Sequence, residues 1–322
     1  ATRMKHTWGS EVKQDWQWLV QFIKQPEIPT TFWLVWLGYL GLLIGLNYAF
    51  DFENEVLDTL TPQPLLLLGY FIFYFVAFTG TVLIQRLFYL KINFPLAFWA
   101  SLSWVLLVKV LNGNAVVYNY WVENSVPWEL QYFARRCLSN FSRATIAFAG
   151  AGLSVLMFAP HQTKDFFGLF STGKSLKPYW LMLGIMLPLV VLASFQADFL
   201  SYYPRYQSTE AAEYLQVPQW VATLTYEFCY GTDFVAVELL FRGMMIWILG
   251  RYMGIHVVFP MATVYCMIHF GKPLGETISS IFGGTILGVI AYNSRSILGG
   301  VFIHLGIAWL MEIVAGVQHA FR

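Results

Sequence analysis

The feature that most constrains this chain is the recurrence of apolar stretches about as long as a bilayer is thick. A spanning helix needs about 20 mostly apolar residues. Such stretches stand near residues 31–50, 63–84, 95–111, 144–160, 178–197, 218–250, 256–270, 276–293 and 297–316. Hydrocarbon offers no water to backbone N–H and C=O groups, so spans of this length form helices that bond internally. The fold expected is all-α, a polytopic transmembrane helical bundle of eight or nine spans with one or two interfacial helices. The count turns on 218–250, which exceeds one bilayer thickness and reads either as one long tilted helix or as two meeting around "CYGTD".

Of the 322 residues, 57% are hydrophobic and 11% charged, against roughly 25% charged in a soluble domain. The formal net charge is +1, which supplies no basic face for phosphate backbones, so no nucleic-acid partner is expected. Cys137, Cys229 and Cys266 form no C-x-x-C pair and suggest neither a disulfide framework nor a thiolate metal site. The first 30 residues lack an uninterrupted apolar core ending in small residues, so the first span is expected to direct insertion in place of a cleaved signal.

Two segments read as interfacial. In 8–24, Trp8, Val12, Trp16, Leu19, Val20 and Ile23 recur at helical spacing against Lys13, Asp15, Gln17 and Lys24. In 125–143, Ser125 suits an N-cap, Pro127 suits the first turn, and the helix carries Arg135 and Arg136. The loop "DFENEVLDT" holds only acids. Basic residues gather at Arg3, Lys5, Lys13 and Lys24, at Arg86 and Lys91, and at Lys164, Lys174 and Lys177. That asymmetry places the N-terminus in the cytoplasm, although Arg135, Arg136 and Arg143 break the pattern. The polar stretch 161–177 divides an N-terminal helical membrane extension (1–175) from a C-terminal core (176–322). In that core "FGGTILG" offers Gly284 and Gly288 for close helix packing.

Charged groups inside a span cost about 2.5 to 3.5 kcal/mol each on insertion scales and need partners. Glu238 and Arg242 lie four apart, on one helical face, and can pair. His269 ends an apolar stretch, and His304 stands mid-stretch with Glu312 two turns later. A carboxylate and two histidines can activate water and stabilise an oxyanion. They could also hold a metal, but no H-E-x-x-H run supports that reading, and neither metal nor cofactor is expected.

These residues carry a resemblance. "VELLFR" (237–242), "YCMIH" (265–269) and "HLGIA" (304–308) resemble, in order, the E-E-x-x-x-R, F-x-x-x-H and H-x-x-x-N motifs of the CPBP family of intramembrane proteins. This family is also described as type II CAAX-prenyl-endopeptidase-like or abortive-infection-type. The resemblance covers roughly 218–316 and implies a glutamate-dependent endopeptidase with Glu238, His269 and His304 as catalytic residues and Arg242 and Glu276 as binding residues. It also implies two departures. The family's first glutamate, read as the general base, falls on Val237, and its last asparagine, an oxyanion donor, falls on Ala308. Glu238, Glu276 or Glu312 could substitute as base, or Glu238 could simply brace the core through Arg242.

Two functions follow. One is a peptidase, with activity reduced or lost, acting on a membrane-associated peptide. The other is a pseudoenzyme serving as an accessory subunit of a membrane-protein complex. In both, membrane lipids surround the chain, and the expected location is a bacterial cytoplasmic membrane.

Overall fold

The structure is a computed structural model that describes residues 8–158, 164–171 and 175–321. Arg3, Lys5, Lys174 and the side chain of Trp8 lie outside the described residues, as do 161–163 and 172–173 of the loop taken as a boundary.

Proline sets where most of the long helices begin. Pro29, Pro62, Pro95, Pro127, Pro218 and Pro273 stand immediately before α2 (Thr30–Phe50), α3 (Gln63–Phe88), α4 (Leu96–Asn114), α6 (Trp128–Met157), α10 (Gln219–Glu238) and α13 (Leu274–Ser294). A helix start is where a fixed φ and a missing N–H do least harm, because the first N–H groups have no intrahelical acceptor. The remaining helices are α1 (Trp8–Ile23), α5 (Asn119–Ser125), α7 (Lys177–Ala193), α8 (Ala197–Tyr202), α9 (Glu210–Leu215), α11 (Gly250–Met253), α12 (Val258–Met267) and α14 (Leu298–Ala320).

Among the described residues, five helical runs are long and apolar enough to cross a bilayer: Thr30–Phe50, Gln63–Phe88, Leu96–Ser125, Leu274–Ser294 and Leu298–Ala320. The chain is an integral membrane protein of all-helical fold. Stretch 218–250 is continuous through "CYGTD". Its α10 runs directly into a π-helical turn sequence, Leu239–Leu249, that starts at the residue after Glu238.

Segment 125–143 is not a separate helix. Ser125 ends α5, and α6 runs unbroken from Trp128 to Met157, joining that segment to the 144–160 stretch. The physical reason is that its arginines find partners inside the protein. Arg143 pairs with Asp233 at 3.0 Å, and Arg136 donates to the Arg205 carbonyl at 2.6 Å. In α1, Phe22 is buried and stacks on Phe259, while Trp16 and Ile23 point outward.

The centre of the bundle is α12, whose ten residues are all buried. A helix apolar on every side must be surrounded; α13 and α3 are its main neighbours, and the N-terminal half supplies most of its polar contacts. Trp36 Nε1 on α2 donates to Thr263 Oγ1 at 3.0 Å, and Thr81 Oγ1 on α3 lies 2.9 Å from the same hydroxyl. At one end of α12, Gln85 Nε2 donates to the His256 carbonyl at 2.8 Å. At the other, Tyr48 donates to the Lys272 carbonyl at 2.6 Å and lies 2.7 Å from Thr277 Oγ1.

In the loop between α2 and α3, the Tyr70 hydroxyl sits 2.6 Å from Asp58 Oδ1 and 3.2 Å from Glu53 Oε1. Burial, then the charge of Asp58, push the Glu53 carboxyl up from 4.5 to about 7. The folded chain therefore binds this proton more tightly than the unfolded chain does. Its contribution to stability falls as pH rises from about 4.5 to about 7 and levels off above that. Unfolding midpoints in detergent should decline across this range, and Glu53→Gln should flatten the slope.

Candidate functional site

Glu238 is the last residue of α10 before the winding changes to π, and Arg242 stands one turn on. Both side chains are fully buried, at 0% exposure. π-Helical segments often occur at functional sites, because the extra residue per turn re-aims side chains. Arg242 Nη1 lies 3.1 Å from Glu238 Oε1. This contact is off the hydrogen-bond direction, and the three guanidinium nitrogens and Glu238 Oε2 have no hydrogen-bond partner among the described residues. The pairing is therefore electrostatic and single-pronged.

The same oxygen reaches across to a third helix. His304 Nδ1 is 3.2 Å from Glu238 Oε1. An ionised carboxylate only accepts, so Nδ1 donates, and the basic lone pair of the neutral ring is left on Nε2. That nitrogen faces the Tyr265 hydroxyl at 3.4 Å. Tyr265, on α12, also lays its ring against the Arg242 guanidinium, with Cζ 3.9 Å from the ring centre. Phe234, one turn before Glu238, covers His304 with ring centres 4.7 Å apart. Gly300 makes the approach possible. A Cβ there would lie 2.2 Å from Glu238 Oε2, so only a glycine lets the carboxylate lie against α14.

His269 belongs to the same neighbourhood through Tyr265. Its Nδ1 donates to the Tyr265 carbonyl at 2.8 Å, and the two rings are 4.7 Å apart. The backbone at His269 is fixed from outside, since Thr277 Oγ1 donates to its carbonyl at 2.6 Å. Glu238, Arg242 and His304 thus converge directly, with His269 joined to them by one aromatic ring.

Glu276 and Glu312 are engaged elsewhere. Glu276 receives Lys272 Nζ at 2.7 Å and the Tyr203 hydroxyl at 2.9 Å. Glu312 accepts the Arg205 backbone N–H at 2.9 and 3.2 Å. Among the described residues no group of three or more His, Cys, Asp or Glu side chains converges as a metal site would require. Val237 packs against the apolar core and Ala308 is buried.

The residue that the sequence analysis passed over is Tyr265. It occupies the aromatic position of the second motif, and its hydroxyl distinguishes it from the phenylalanine usual there. That hydroxyl was the available signal.

Three helices thus bring a carboxylate, an imidazole and a hydroxyl together, Glu238 from α10, His304 from α14 and Tyr265 from α12. Residues 220–310 match the family model described as Type II CAAX prenyl endopeptidase Rce1-like. The matched segment holds every residue of this cluster. Comparison with curated proteins and with solved structures gives no match. The Rce1-like family is one of intramembrane glutamate-dependent proteases.

The Gly300 contact is open to a direct test. Gly300→Ala drives a methyl group into the Glu238 carboxylate and should destabilise the protein by about 1–3 kcal/mol. Gly316→Ala, on the same helix with open space around it, should be neutral or slightly stabilising. Thermal unfolding of the two variants in detergent compares them.

Proposed function

We propose that this chain is a membrane-embedded glutamate-dependent endopeptidase of the CPBP type, working at reduced rate on a membrane-associated peptide. The observation that carries the reading is the shared Glu238 oxygen, which orients His304 so that Nε2 is the basic nitrogen.

In this mechanism His304 Nε2 takes a proton from water as the oxygen attacks the peptide carbonyl, and Glu238 stabilises the imidazolium that forms. The Tyr265 hydroxyl donates to the developing oxyanion, where the family uses an asparagine that is Ala308 here. The proton then passes from His304 to the leaving amine. Arg242 sets a positive charge beside Glu238, 3.1 Å from Oε1. The missing first glutamate leaves the dyad to act alone, and the lower rate follows from that loss.

The same reading gives the chain eight or nine crossings and puts the N-terminus in the cytoplasm, following the basic residues Lys13, Lys24, Arg86, Lys91, Lys164 and Lys177. It treats 1–175 as a scaffold and 176–322 as the catalytic core.

A second reading has specific support. Glu238 and Arg242 are wholly inaccessible, and Val237 contributes only to apolar packing, as suits a pseudoprotease kept as an accessory subunit of a membrane complex. Proteoliposomes carrying a lipid-tethered fluorogenic peptide separate the two. The peptidase reading expects cleavage that falls at least about a hundredfold in Glu238→Gln and in His304→Ala. Equal rates in the wild type and both variants would sink it, and a stable companion protein recovered with an inactive wild type would favour the accessory role.

A further inference from the structure

At the end of the bundle where α6 and α10 begin, a cavity of about 50 Å³ is lined by Arg136, Asn140, Arg143, Arg205, Tyr226 and Tyr230. Arg136, Asn140 and Arg143 share one face of α6 by their spacing of four and three. Arg205 comes from the segment between α8 and α9, and the two tyrosines come from α10. Three guanidinium groups from two separate elements thus border one small enclosed space.

Only one of the three is neutralised by an ion pair, Arg143 with Asp233 at 3.0 Å. Arg136 donates through Nη2 to the Arg205 carbonyl at 2.6 Å, and the same atom lies 3.3 Å from the Tyr226 hydroxyl. Its Nε is buried without a hydrogen-bond partner. Arg205 rests its guanidinium on the Tyr202 ring, 3.9 Å from the centre. Glu312 is held by the Arg205 backbone N–H. Among the described residues neither Arg136 nor Arg205 has a carboxylate within ion-pair distance of its side chain. Glu312 offsets part of the charge of Arg136 and Arg205 from beyond that distance, and a bound anion would relieve the repulsion left among the three guanidinium groups.

The anion's chemistry follows from size and donor number. Each water needs about 10–15 Å³ by this measure of volume, so a space of about 50 Å³ suits roughly three to five oxygen atoms. A carboxylate has two oxygens, whereas a phosphate presents three or four to a ring of guanidinium and phenol donors. Tyr120, Trp121, Trp128, Tyr132 and Trp220 are exposed at this same end of the bundle, the aromatic signature of a headgroup boundary.

We propose that this cavity binds one phosphate group, held by Arg136, Arg205 and the Tyr226 hydroxyl, from a lipid headgroup or from free inorganic phosphate. The test uses the full chain in detergent, titrated calorimetrically with inorganic phosphate and, separately, with short-chain phosphatidic acid. Wild-type protein should bind at least one of the two, and which one it prefers identifies the source. Arg136→Gln and Arg205→Gln should each weaken binding about tenfold or more. Arg135→Gln, whose parent pairs with Glu123 at 3.2 Å outside the cavity, should bind as the wild type does. Arg136→Lys keeps the charge and should bind with intermediate strength, which guards against misfolding of the glutamine variant. Binding of neither probe, undiminished binding by both glutamine variants, or equally tight, arginine-dependent binding of glutarate would overturn the assignment.

Discussion

One carboxylate oxygen, Glu238 Oε1, is the point on which the C-terminal helices agree. It lies 3.1 Å from a guanidinium nitrogen of its own helix and 3.2 Å from an imidazole nitrogen of α14. An ionised glutamate at this depth would be costly alone, and removing one partner of a buried pair typically costs about 3–5 kcal/mol. Its two neighbours therefore fix the rotation of α10 relative to α14. The glycine at 300 records that constraint on the opposite helix, since the carboxylate occupies the space where a side chain would begin.

The helices outside the Rce1-like match have a definite part in this arrangement. Tyr265 and His269 lie on or just beyond α12, which is too short to cross a bilayer unaided at about 1.5 Å per residue. Its position is set by hydroxyl and indole groups of α2 and α3 at Thr263 and by Tyr48 at the turn that follows His269. Residues with no motif of their own thereby hold the aromatic ring against Arg242 and the imidazole in register with it.

The sequence was informative where burial or charge leaves a local pattern. The positions of α2, α3, α4, α13 and α14 could be read from apolar run length. The pairing of Glu238 with Arg242 followed from a four-residue spacing, and the meeting with His304 followed from motif order. What stayed hidden depended on partners distant in the chain. Arg136 looked like a headgroup anchor because the acceptor that draws it inward, the Arg205 carbonyl, lies 69 residues away. The role of Tyr265 was masked by resemblance, since an aromatic was expected there and its hydroxyl drew no notice. Whether Glu276 or Glu312 served His269 or His304 could not be read from spacing along one helix, because Tyr203 and Arg205 claim them from another segment.

The clasp around α12 also bears on how the chain is made. The indole of Trp36 and the hydroxyl of Thr81 are synthesised roughly 180 to 230 residues before Thr263, the group they meet. Until it emerges from the ribosome, the α2 and α3 surfaces carry polar groups toward lipid, where Thr81 can fall back on the Ala77 carbonyl of its own helix while the indole N–H has no such resort. The early helices thus form an unfinished socket, and a segment made much later supplies the piece that closes it.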